Sequence, residues 1–300
     1  MIAIDLGSNT LRVVQFDCES KKSVAAYEKI VKTADGLAQS GAISPEATGR
    51  VIDAINEAKT KIDFSKDTIR AVATEALRSA SNKEEVIAKI KEKAGIAFEV
   101  ISGDEEAALT LLAVKKRFES LKRTSERFVV VDIGGGSTEL IFNYSNQVFA
   151  KSFPLGIVTV AQSYDTLEEI GSVLPGLMLQ MKLFCDEIFA AYGKTEMFAA
   201  TAGTPTTVAA MKHNQSYATY DSQKINGTML QKKELDFFLH QLLAMPFEQR
   251  EYIAGTGRSD LIAAGILIFK QLYTLLEFEE CVVIDDGLRE GVALQMCGKF

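Results

Sequence analysis

A glycine-rich segment between two apolar strands is the strongest chemical signal in the sequence. Residues 131–139 read Val-Asp-Ile-Gly-Gly-Gly-Ser-Thr-Glu. Successive glycines let neighbouring backbone N–H groups point into one concavity, as in many phosphate-binding loops. The segment lacks the Lys of a Walker A loop and does not open a helix as a dinucleotide-binding loop does. A hairpin without a ligand is the alternative interpretation. The candidate phosphate-binding residues are Gly134, Gly135, Gly136, Ser137 and Thr138.

A second loop of similar design follows the first apolar strand. Residues 5–10 read Asp-Leu-Gly-Ser-Asn-Thr, and this aspartate ends a strand as Asp132 does. We therefore predict a duplicated domain, with two loops that grip a phosphate chain from both sides of a cleft. Mg²⁺ prefers carboxylate oxygens and retained water, which predicts a cation held by Asp5, Asp132 and Glu139.

Three acidic residues begin a predicted helix at Gly103. Residues 101–107 read Ile-Ser-Gly-Asp-Glu-Glu-Ala. Carboxylates in a first turn stabilise the helix through its dipole, and this structural role is one interpretation. The other is catalytic, because a glutamate there can accept a proton from water that attacks phosphorus. General-base catalysis of this kind contributes about 10² to 10⁴ in rate.

Three further segments could contribute to such a site. Arg78 follows a strand in Thr-Glu-Ala-Leu-Arg and offers a fork of donors for phosphate, although a surface arginine fits equally well. Turns at residues 202–207 and 286–291 each open a helix, and both could be simple caps. The basic run 115–117 fits a solvated helix face, and His213 and His240 are interpreted as structural.

Alternating strand and helix patterns position these motifs. In residues 1–122, strands are predicted at 2–6, 11–17, 23–33, 68–74 and 97–101, and helices at 44–62, 82–94 and 103–120. After the polar segment 122–127 the pattern restarts, with strands at 128–133, 138–143, 147–153, 196–200 and 281–284 and helices at 173–192, from 203, at 259–277 and from 288. This order predicts an α/β protein with domains 1–122 and 123–300, whose terminal helix could pack back on the first domain.

The composition narrows the classes of partner. Of the 300 residues, 47% are hydrophobic and 24% charged, and the formal net charge is −7. An acidic chain without a long basic run does not favour nucleic-acid binding. Its longest apolar run, 261–269, is shorter than the roughly 18 residues of a membrane span. Because the N-terminus lacks a secretory pattern, we predict a cytoplasmic protein whose four scattered cysteines are reduced and mostly buried.

Taken in order along the chain, these motifs resemble the Ppx/GppA family of exopolyphosphatases and guanosine pentaphosphate phosphohydrolases. The matching motifs begin at residues 5, 34, 74, 102, 131, 154, 202 and 286. The resemblance covers essentially the whole chain, and several motifs in the right order are far more specific than any one of them. It implies a duplicated actin-like, or ribonuclease H-like, ATPase-type fold with the active site in an interdomain cleft.

The resemblance also implies roles for individual residues. Glu106, beside Glu105, matches the catalytic glutamate, and Arg78 matches the arginine of the Thr-x-x-x-Arg motif. Asp132 and Glu139 match the cation-associated acids. Phosphate binding is implied for the glycine loop and the other loop motifs, here Ser8, Asn9, Gly203 and Thr204. In one departure, Thr159 stands near where many relatives carry an arginine after Pro-Leu-Gly, which would weaken the grip on phosphate.

Together these features predict a hydrolase that depends on Mg²⁺, or on Mn²⁺, and removes the terminal phosphate of inorganic polyphosphate. Hydrolysis of the 5′-phosphate of pppGpp is the alternative reaction. Two hypotheses outside these reactions are an actin-like kinase or ATPase, and a non-catalytic sensor that binds pppGpp or polyphosphate. The expected partners are the substrate and, as one option, a second copy of the chain, but neither nucleic acid nor a membrane.

Overall fold

The chain divides into two compact units in the computed structural model, which describes residues 1–65, 67–123 and 125–298. Unit one is Met1–Ala113 together with Gly287–Phe300, and unit two is Val114–Asp286. The C-terminal helix therefore belongs to unit one. The division falls inside the long helix that begins at Gly103, whereas the sequence pattern places it in the polar segment after that helix.

Unit one is built on a five-stranded mixed sheet. Its strands are β1 (Ile2–Leu6), β2 (Thr10–Asp17), β3 (Lys22–Ile30), β4 (Ile69–Ala73) and β5 (Phe98–Val100). Its helices are α1 (Leu37–Ser40), α2 (Pro45–Lys61), α3 (Glu75–Ser79), α4 (Lys83–Ala94), α5 (Gly103–Ser120, which continues into unit two) and α14 (Leu288–Met296). The strand order is β3-β2-β1-β4-β5, with β1 antiparallel to β2 and parallel to β4.

Strand β1 is buried on both faces, because helices cover each side of the sheet. Successive side chains in a strand point to opposite faces. Ile2, Ile4 and Leu6 join the apolar core that contains residues of α2 and α4. Ala3 joins a second core with residues of α5 and α14. Asp5 shares the face of Ala3, so its carboxylate lies on the side covered by α5 and α14.

The helix ends of unit one follow the signals in the sequence. Ser44 caps α2 through its side-chain oxygen, which accepts from the Ala47 N–H at 3.1 Å, and Pro45 takes the first helical position. Gly95 ends α4 with a φ of 64°, which is the left-handed conformation that glycine adopts without penalty. The predicted limits of both helices are confirmed.

Unit two contains a six-stranded mixed sheet. Its strands are β6 (Arg127–Ile133), β7 (Thr138–Tyr144), β8 (Gln147–Phe153), β9 (Met197–Thr201), β10 (Thr228–Gln231) and β11 (Glu280–Val283). Its helices are α6 (Ile157–Ser163), α7 (Leu167–Leu177), α8 (Leu179–Tyr192), α9 (Gly203–Lys212), α10 (Ser222–Ile225), α11 (Lys232–Ala244), α12 (Phe247–Ala254) and α13 (Ser259–Leu276), with a 3₁₀ turn at Tyr217–Thr219.

The two sheets share one topology. Unit two has the order β10-β11-β9-β6-β7-β8, and β8-β7-β6-β9-β11 repeats the order β3-β2-β1-β4-β5 of unit one. The central strand of each unit, β1 or β6, is antiparallel to the next strand in the chain and parallel to the fourth. The predicted α/β fold with duplicated domains is confirmed, and β10 is an additional edge strand of unit two.

Helix α13 forms the apolar centre of the helical layer of unit two. It is long and apolar enough to cross a membrane by length and composition, but 61% of it is buried inside the protein. Ile262, Phe269 and Leu272 on this helix have no exposed surface. A helix buried to this extent is a core helix. This agrees with the sequence, whose longest apolar run is shorter than a membrane span requires.

The cysteines differ from expectation at one pair. Cys18, after β2, and Cys297, after α14, form a disulfide with 5.4 Å between their Cα atoms. The prediction that all cysteines are reduced is therefore wrong for this pair, which joins residues far apart in the chain. Cys185 and Cys281 are buried free thiols as predicted, and burial raises the pKa of each to about 12.

Candidate active site

The β1–β2 loop of unit one is fixed through its backbone carbonyls. Ser8 O accepts from the Ala34 N–H at 2.8 Å, and Asn9 O accepts from the Val31 and Lys32 N–H groups at 2.8 and 2.9 Å. The residues Ser8 and Asn9 are only 4% and 6% exposed. Within the described part of the chain, neither side chain makes a hydrogen bond. A rigid loop with two polar side chains available to a ligand suits the predicted contact with phosphate.

A cluster of partly buried charged side chains lies beside Asp5. Arg12 lies directly opposite Asp5 on the neighbouring strand, and its Nε donates to Glu28 Oε2 at 2.9 Å. Arg289, at the start of α14, approaches the same Glu28 oxygen at 3.8 Å. Burial acts to lower the pKa of Arg12, but the charges of Glu28 and Asp5 outweigh it and raise that pKa. Asp5 thus already lies in the field of a permanent cation.

Glu106 lies in the first turn of α5, next to an arginine. It is 7% exposed, and its Oε2 accepts from Arg78 Nη1 at 3.1 Å. The same Nη1 donates to Ile101 O at 2.9 Å, just before the helix. Burial acts to lower the pKa of Arg78, but Glu106 and Glu75 outweigh it and raise that pKa. The Glu106 carboxylate therefore lies next to a permanent cation and at the positive end of the helix dipole.

The neighbouring acid, Glu105, has different partners. Its backbone N–H donates to Ser102 Oγ at 3.1 Å, which caps the helix. Its carboxylate accepts from Arg70 Nη2 at 2.7 Å and is 40% exposed. Arg70 also contacts Glu99 and Gln295, so it ties β4, β5, α5 and α14 together. Glu105 thus lies in a half-exposed ion pair with Arg70, whereas Glu106 is nearly buried and bonded to Arg78.

Hydrogen bonds from the start of α6 fix the glycine loop of unit two. The carbonyls of Gly134 and Gly135 accept from the N–H groups of Ile157 and Val158 at 3.1 and 2.8 Å. The approach is close, because a Cβ on Gly156 would lie 2.4 Å from Gly135 O. The first amides of α6 are thereby used to fix the loop.

The amides of the loop are left for another acceptor. Gly134 N–H closes the turn by donating to Ser137 O at 2.9 Å. The amides of Gly135, Gly136 and Ser137 have no acceptor among residues 1–65, 67–123 and 125–298. Successive amides of this kind form a site for an anion.

The hydroxyls beside the glycine loop serve the protein itself. Ser137 Oγ and Ser152 Oγ both donate to Glu139 Oε1 at 2.7 Å. Thr138 Oγ1 donates to Leu155 O at 2.6 Å. Both hydroxyls that the motif predicts as phosphate donors therefore already donate within unit two.

Two of the three acids predicted to hold a cation lie together. Asp132 and Glu139 are directly opposite each other on the antiparallel strands β6 and β7, so their side chains share a face. Asp5 belongs to unit one. The described part of the chain contains no group of three or more His, Cys, Asp or Glu side chains able to hold a metal. Asp132 and Glu139 fit Mg²⁺ only in its usual mode beside phosphates, with one or two carboxylates and the remaining ligands from water and substrate.

The turn at Gly203 brings an unexpected arginine into the site region of unit two. Ala202 has a φ of 69°, a strained value for a residue with a Cβ. A Cβ on Gly203 would lie 2.2 Å from Arg258 Nη2, so the guanidinium lies against this glycine. Thr204 Oγ1 is buried against Gly265 of α13, away from this arginine, and makes no hydrogen bond among the described residues.

Two arginines are absent from the residues that the motifs single out, namely the partly exposed Arg12 and the buried Arg258. Arg12 is one arginine inside an apolar strand, and Arg258 ends a Gly-Thr-Gly-Arg turn before α13. The signal that could have identified Arg12 is a charged residue inside an otherwise apolar strand, and for Arg258 it is an arginine that ends a glycine-rich turn. Thr159 caps α6, because its Oγ1 donates to Gly156 O and accepts from Gly156 N–H at 2.9 Å each.

Comparisons with known proteins agree along the whole chain. Exopolyphosphatase 2 of Mycobacterium tuberculosis is 27% identical over 99% of this chain and 98% of its own length. A guanosine-5′-triphosphate,3′-diphosphate pyrophosphatase of Vibrio cholerae is 30% identical over 98% of this chain, which spans 58% of that relative. A sequence model of the Ppx/GppA phosphatase family matches residues 13–300.

Solved structures agree with these matches. The Ppx/GppA family member of Aquifex aeolicus superposes with a TM-score of 0.72 at 28% identity and covers 98% of this chain and 96% of its own. An exopolyphosphatase of Cytophaga hutchinsonii superposes with a TM-score of 0.84 at 23% identity, with 99% and 97% covered, and so supports the fold. The predicted actin-like fold class is confirmed by these structures and by the repeated strand order. With the family model matching nearly every residue, the chain belongs to the Ppx/GppA phosphatase family.

Proposed function

We propose that the protein is an exopolyphosphatase, which hydrolyses the terminal phosphoanhydride of inorganic polyphosphate and releases phosphate. The observation that carries this proposal is Glu106, a nearly buried carboxylate that is paired with Arg78 in the first turn of α5. A family of phosphatases and a full-length match to an exopolyphosphatase support the same reaction.

The reaction requires a base for the attacking water. Glu106 accepts the proton of the water at its carboxylate, while Arg78, bound to Oε2, sets the orientation of that carboxylate. General-base catalysis supplies about 10² to 10⁴ of the rate. In this mechanism the main role of Arg78 is to bind Glu106, because its Nη1 is already bonded to Glu106 and to Ile101 O.

The phosphate chain is held by backbone and polar groups. The amides of Gly135, Gly136 and Ser137 bind phosphate oxygens, since fixed donors at the site of developing charge need no reorganisation during the reaction. The side chains of Ser8 and Asn9 supply the corresponding donors of unit one. Arg258, beside Gly203, adds a positive charge next to the strained turn of unit two.

Mg²⁺, or Mn²⁺ in its place, is the proposed cofactor. Asp132 would hold it, with Glu139 beside it, because Glu139 Oε1 already accepts from two serine hydroxyls. A divalent cation bound with phosphate neutralises charge that develops on the phosphate oxygens. We also propose that the protein acts in the cytoplasm, with polyphosphate as its principal partner.

Hydrolysis of pppGpp to ppGpp is the second candidate function. It is supported by the relative from Vibrio cholerae, which is the more identical of the two at 30%. That match leaves 42% of the relative outside the alignment, because 58% is covered, whereas the exopolyphosphatase is matched over 98% of its length. Both reactions remove a terminal phosphate, so a direct comparison of the two substrates decides between them.

The test is release of phosphate from short-chain polyphosphate, long-chain polyphosphate, pppGpp and ATP, with Mg²⁺ or Mn²⁺. We expect the highest kcat/KM with polyphosphate and Mg²⁺. A higher value with pppGpp would select the second function, transfer from ATP to an acceptor would select a kinase, and binding without turnover under either ion would select a sensor.

The variant Glu106→Gln tests the proposed base. We expect kcat to fall at least about 10²-fold with the fold intact, because the amide cannot accept the proton. Glu119→Gln is the matched control, since Glu119 lies near the far end of the same helix in an exposed ion pair with Lys116. Turnover by Glu106→Gln at the wild-type rate would refute the assignment.

A further inference from the structure

Glu75, in the first turn of α3, holds the guanidinium of Arg78 on one edge. Arg78 Nε and Nη2 both donate to Glu75 Oε2, at 3.0 and 2.7 Å. Ser79 Oγ donates to the other oxygen, Oε1. The carboxylate is therefore bound at both oxygens, and its side chain is 21% exposed.

The opposite corner of the same guanidinium holds Glu106. Nη1 donates to Ile101 O at 2.9 Å and to Glu106 Oε2 at 3.1 Å. A guanidinium is planar and its donors have fixed directions. Once Glu75 fixes the Nε–Nη2 edge, the direction of Nη1 is also fixed, and Nη1 is the group that contacts Glu106.

The helix that carries Glu75 is tied to the sheet. The Thr74 N–H, just before α3, donates to Leu6 O at the end of β1 at 3.2 Å, and Arg78 N–H donates to Thr74 O at 2.9 Å. Glu75 thus begins from a backbone position set by β1 and β4. The chain of contacts from the sheet to Glu106 passes through two side chains, Glu75 and Arg78.

We propose that Glu75 is a positioning residue for hydrolysis, which acts on Glu106 through Arg78. This inference rests on the proposed function, in which Glu106 is the base. Glu75 touches neither water nor substrate in this role. It stops the long Arg78 side chain from changing rotamer, and it supplies a second negative charge so that the guanidinium is shared between two carboxylates.

The sharing of Arg78 between two carboxylates affects how well Glu106 can accept a proton. A guanidinium paired with Glu106 alone would bind its carboxylate more strongly and make it a poorer proton acceptor. With Glu75 present, one positive charge faces two negative charges, so Arg78 stabilises the Glu106 carboxylate less than it would without Glu75. The same contact therefore orients Glu106 without strongly suppressing its basicity.

The first experiment compares steady-state kinetics of Glu75→Ala and Glu75→Gln with polyphosphate and Mg²⁺. Misplacing a reacting group by about 1 Å costs up to about 10²-fold in rate. We expect Glu75→Ala to lower kcat by about 10-fold or more and to change KM by less than about twofold, because the phosphate-binding groups are untouched. Glu75→Gln keeps an acceptor oxygen for Nε and Nη2, so it should recover much of the loss.

A double-mutant cycle with Arg78→Lys distinguishes positioning from structural support. Lysine cannot bridge three acceptors at fixed angles, so Glu75 has no route to Glu106 in that background. We expect Glu75→Ala to lower kcat by less than about twofold there. Equal losses in both backgrounds, or a loss that appears in KM, would overturn the proposal. Glu57→Ala is the matched control, since Glu57 lies on α2 of the same unit and forms ion pairs with both Lys29 and Lys61.

The two proposals fail in different ways. If Glu106→Gln retains wild-type turnover, the proposed base is wrong, whatever Glu75 does. If Glu106→Gln is inactive and Glu75→Ala keeps wild-type kcat with a melting temperature equal to that of the Glu57→Ala control, only the positioning role is wrong.

Discussion

Replacing Gly156 by alanine would press directly on the glycine loop. A Cβ at this position would lie 2.4 Å from Gly135 O, 2.5 Å from Gly135 C and 2.6 Å from Gly136 C. All three atoms belong to the backbone, so no side chain can rotate away. The φ of Gly156 is −133°, an extended value that alanine adopts easily. The expected effect of Gly156→Ala is therefore due to the contact and not to backbone strain.

The size of the displacement follows from these distances. Ordinary van der Waals contact of a Cβ begins at 3.4 Å, so the loop and the start of α6 must separate by about 1 Å. A shift of this size lowers the catalytic rate by up to about 10²-fold when it misplaces a reacting group. Overpacking of this kind also lowers the free energy of unfolding by about 1 to 3 kcal/mol. Because the carbonyls of the loop bond to α6, separation also loosens the amides that would bind phosphate. We expect a higher KM for polyphosphate and a kcat/KM lower by about 10- to 10²-fold.

The assay pairs urea unfolding with phosphate release at several polyphosphate concentrations. Gly171→Ala and Gly176→Ala are the matched controls, because a Cβ at either position of α7 meets nothing within 4 Å. Both should leave kcat/KM unchanged and stabilise the helix by about 0.5 to 1 kcal/mol. Wild-type KM and stability in Gly156→Ala would show that the loop tolerates the displacement, and the proposed role of its amides would then be wrong.

Three further predictions concern a buried hydroxyl, the disulfide and the two free thiols. Thr204→Val removes a buried hydroxyl that has no partner among the described residues, so the melting temperature should stay equal or rise with kcat/KM unchanged; a large loss of activity would instead assign the hydroxyl to phosphate. Cys18→Ser should lower the free energy of unfolding by about 2 to 4 kcal/mol, and dithiothreitol should do the same to the wild type but nothing to the variant; a wild type insensitive to reductant would mean that Cys18 and Cys297 are not joined in solution. Cys185 and Cys281, whose pKa values burial raises to about 12, should remain protonated and resist alkylation at pH 8 in the native protein, and labelling before unfolding would contradict their burial.

The parts of the site that the sequence predicted are those carried by strand ends. The apolar runs at residues 2–6 and 128–133 are short, buried and followed by glycine, so periodicity and turn chemistry locate both loops. The duplication predicted from two aspartates at strand ends extends to the whole strand order. The amphipathic helix from Gly103 likewise positions Glu106 in a first turn, as its acidic start indicates.

What escaped prediction depends on contacts between distant residues. Cys18 and Cys297 are 279 residues apart, and nothing local to either marks a partner. Strand β10 has four residues at the edge of its sheet, too few for a periodic pattern. Arg258 meets Gly203 only through the fold, since the two lie on separate turns. In each case the controlling interaction is tertiary, and a single sequence contains no spacing that records it.

The repeat in the fold includes the means of fixing each loop as well as the loop itself. In unit one the carbonyls of Ser8 and Asn9 accept from amides of residues 31–34, the segment that directly follows the third strand. In unit two the carbonyls of the glycine loop accept from amides at the start of α6, which follows β8, the equivalent third strand. The motifs after the third strands thus have a common physical purpose, because they satisfy the loop carbonyls.

This shared arrangement explains why the two loops differ in composition. Once the carbonyls are satisfied, each loop must present donors on its remaining side. Unit two does so with bare amides, which requires glycines and the close approach of Gly156 to Gly135. Unit one has the side chains of Ser8 and Asn9 for the same purpose, so a single glycine at position 7 suffices. Ser8→Gly should therefore raise KM for polyphosphate, since it removes a side-chain donor from the loop of unit one, and an unchanged KM would contradict the proposed role of that side chain.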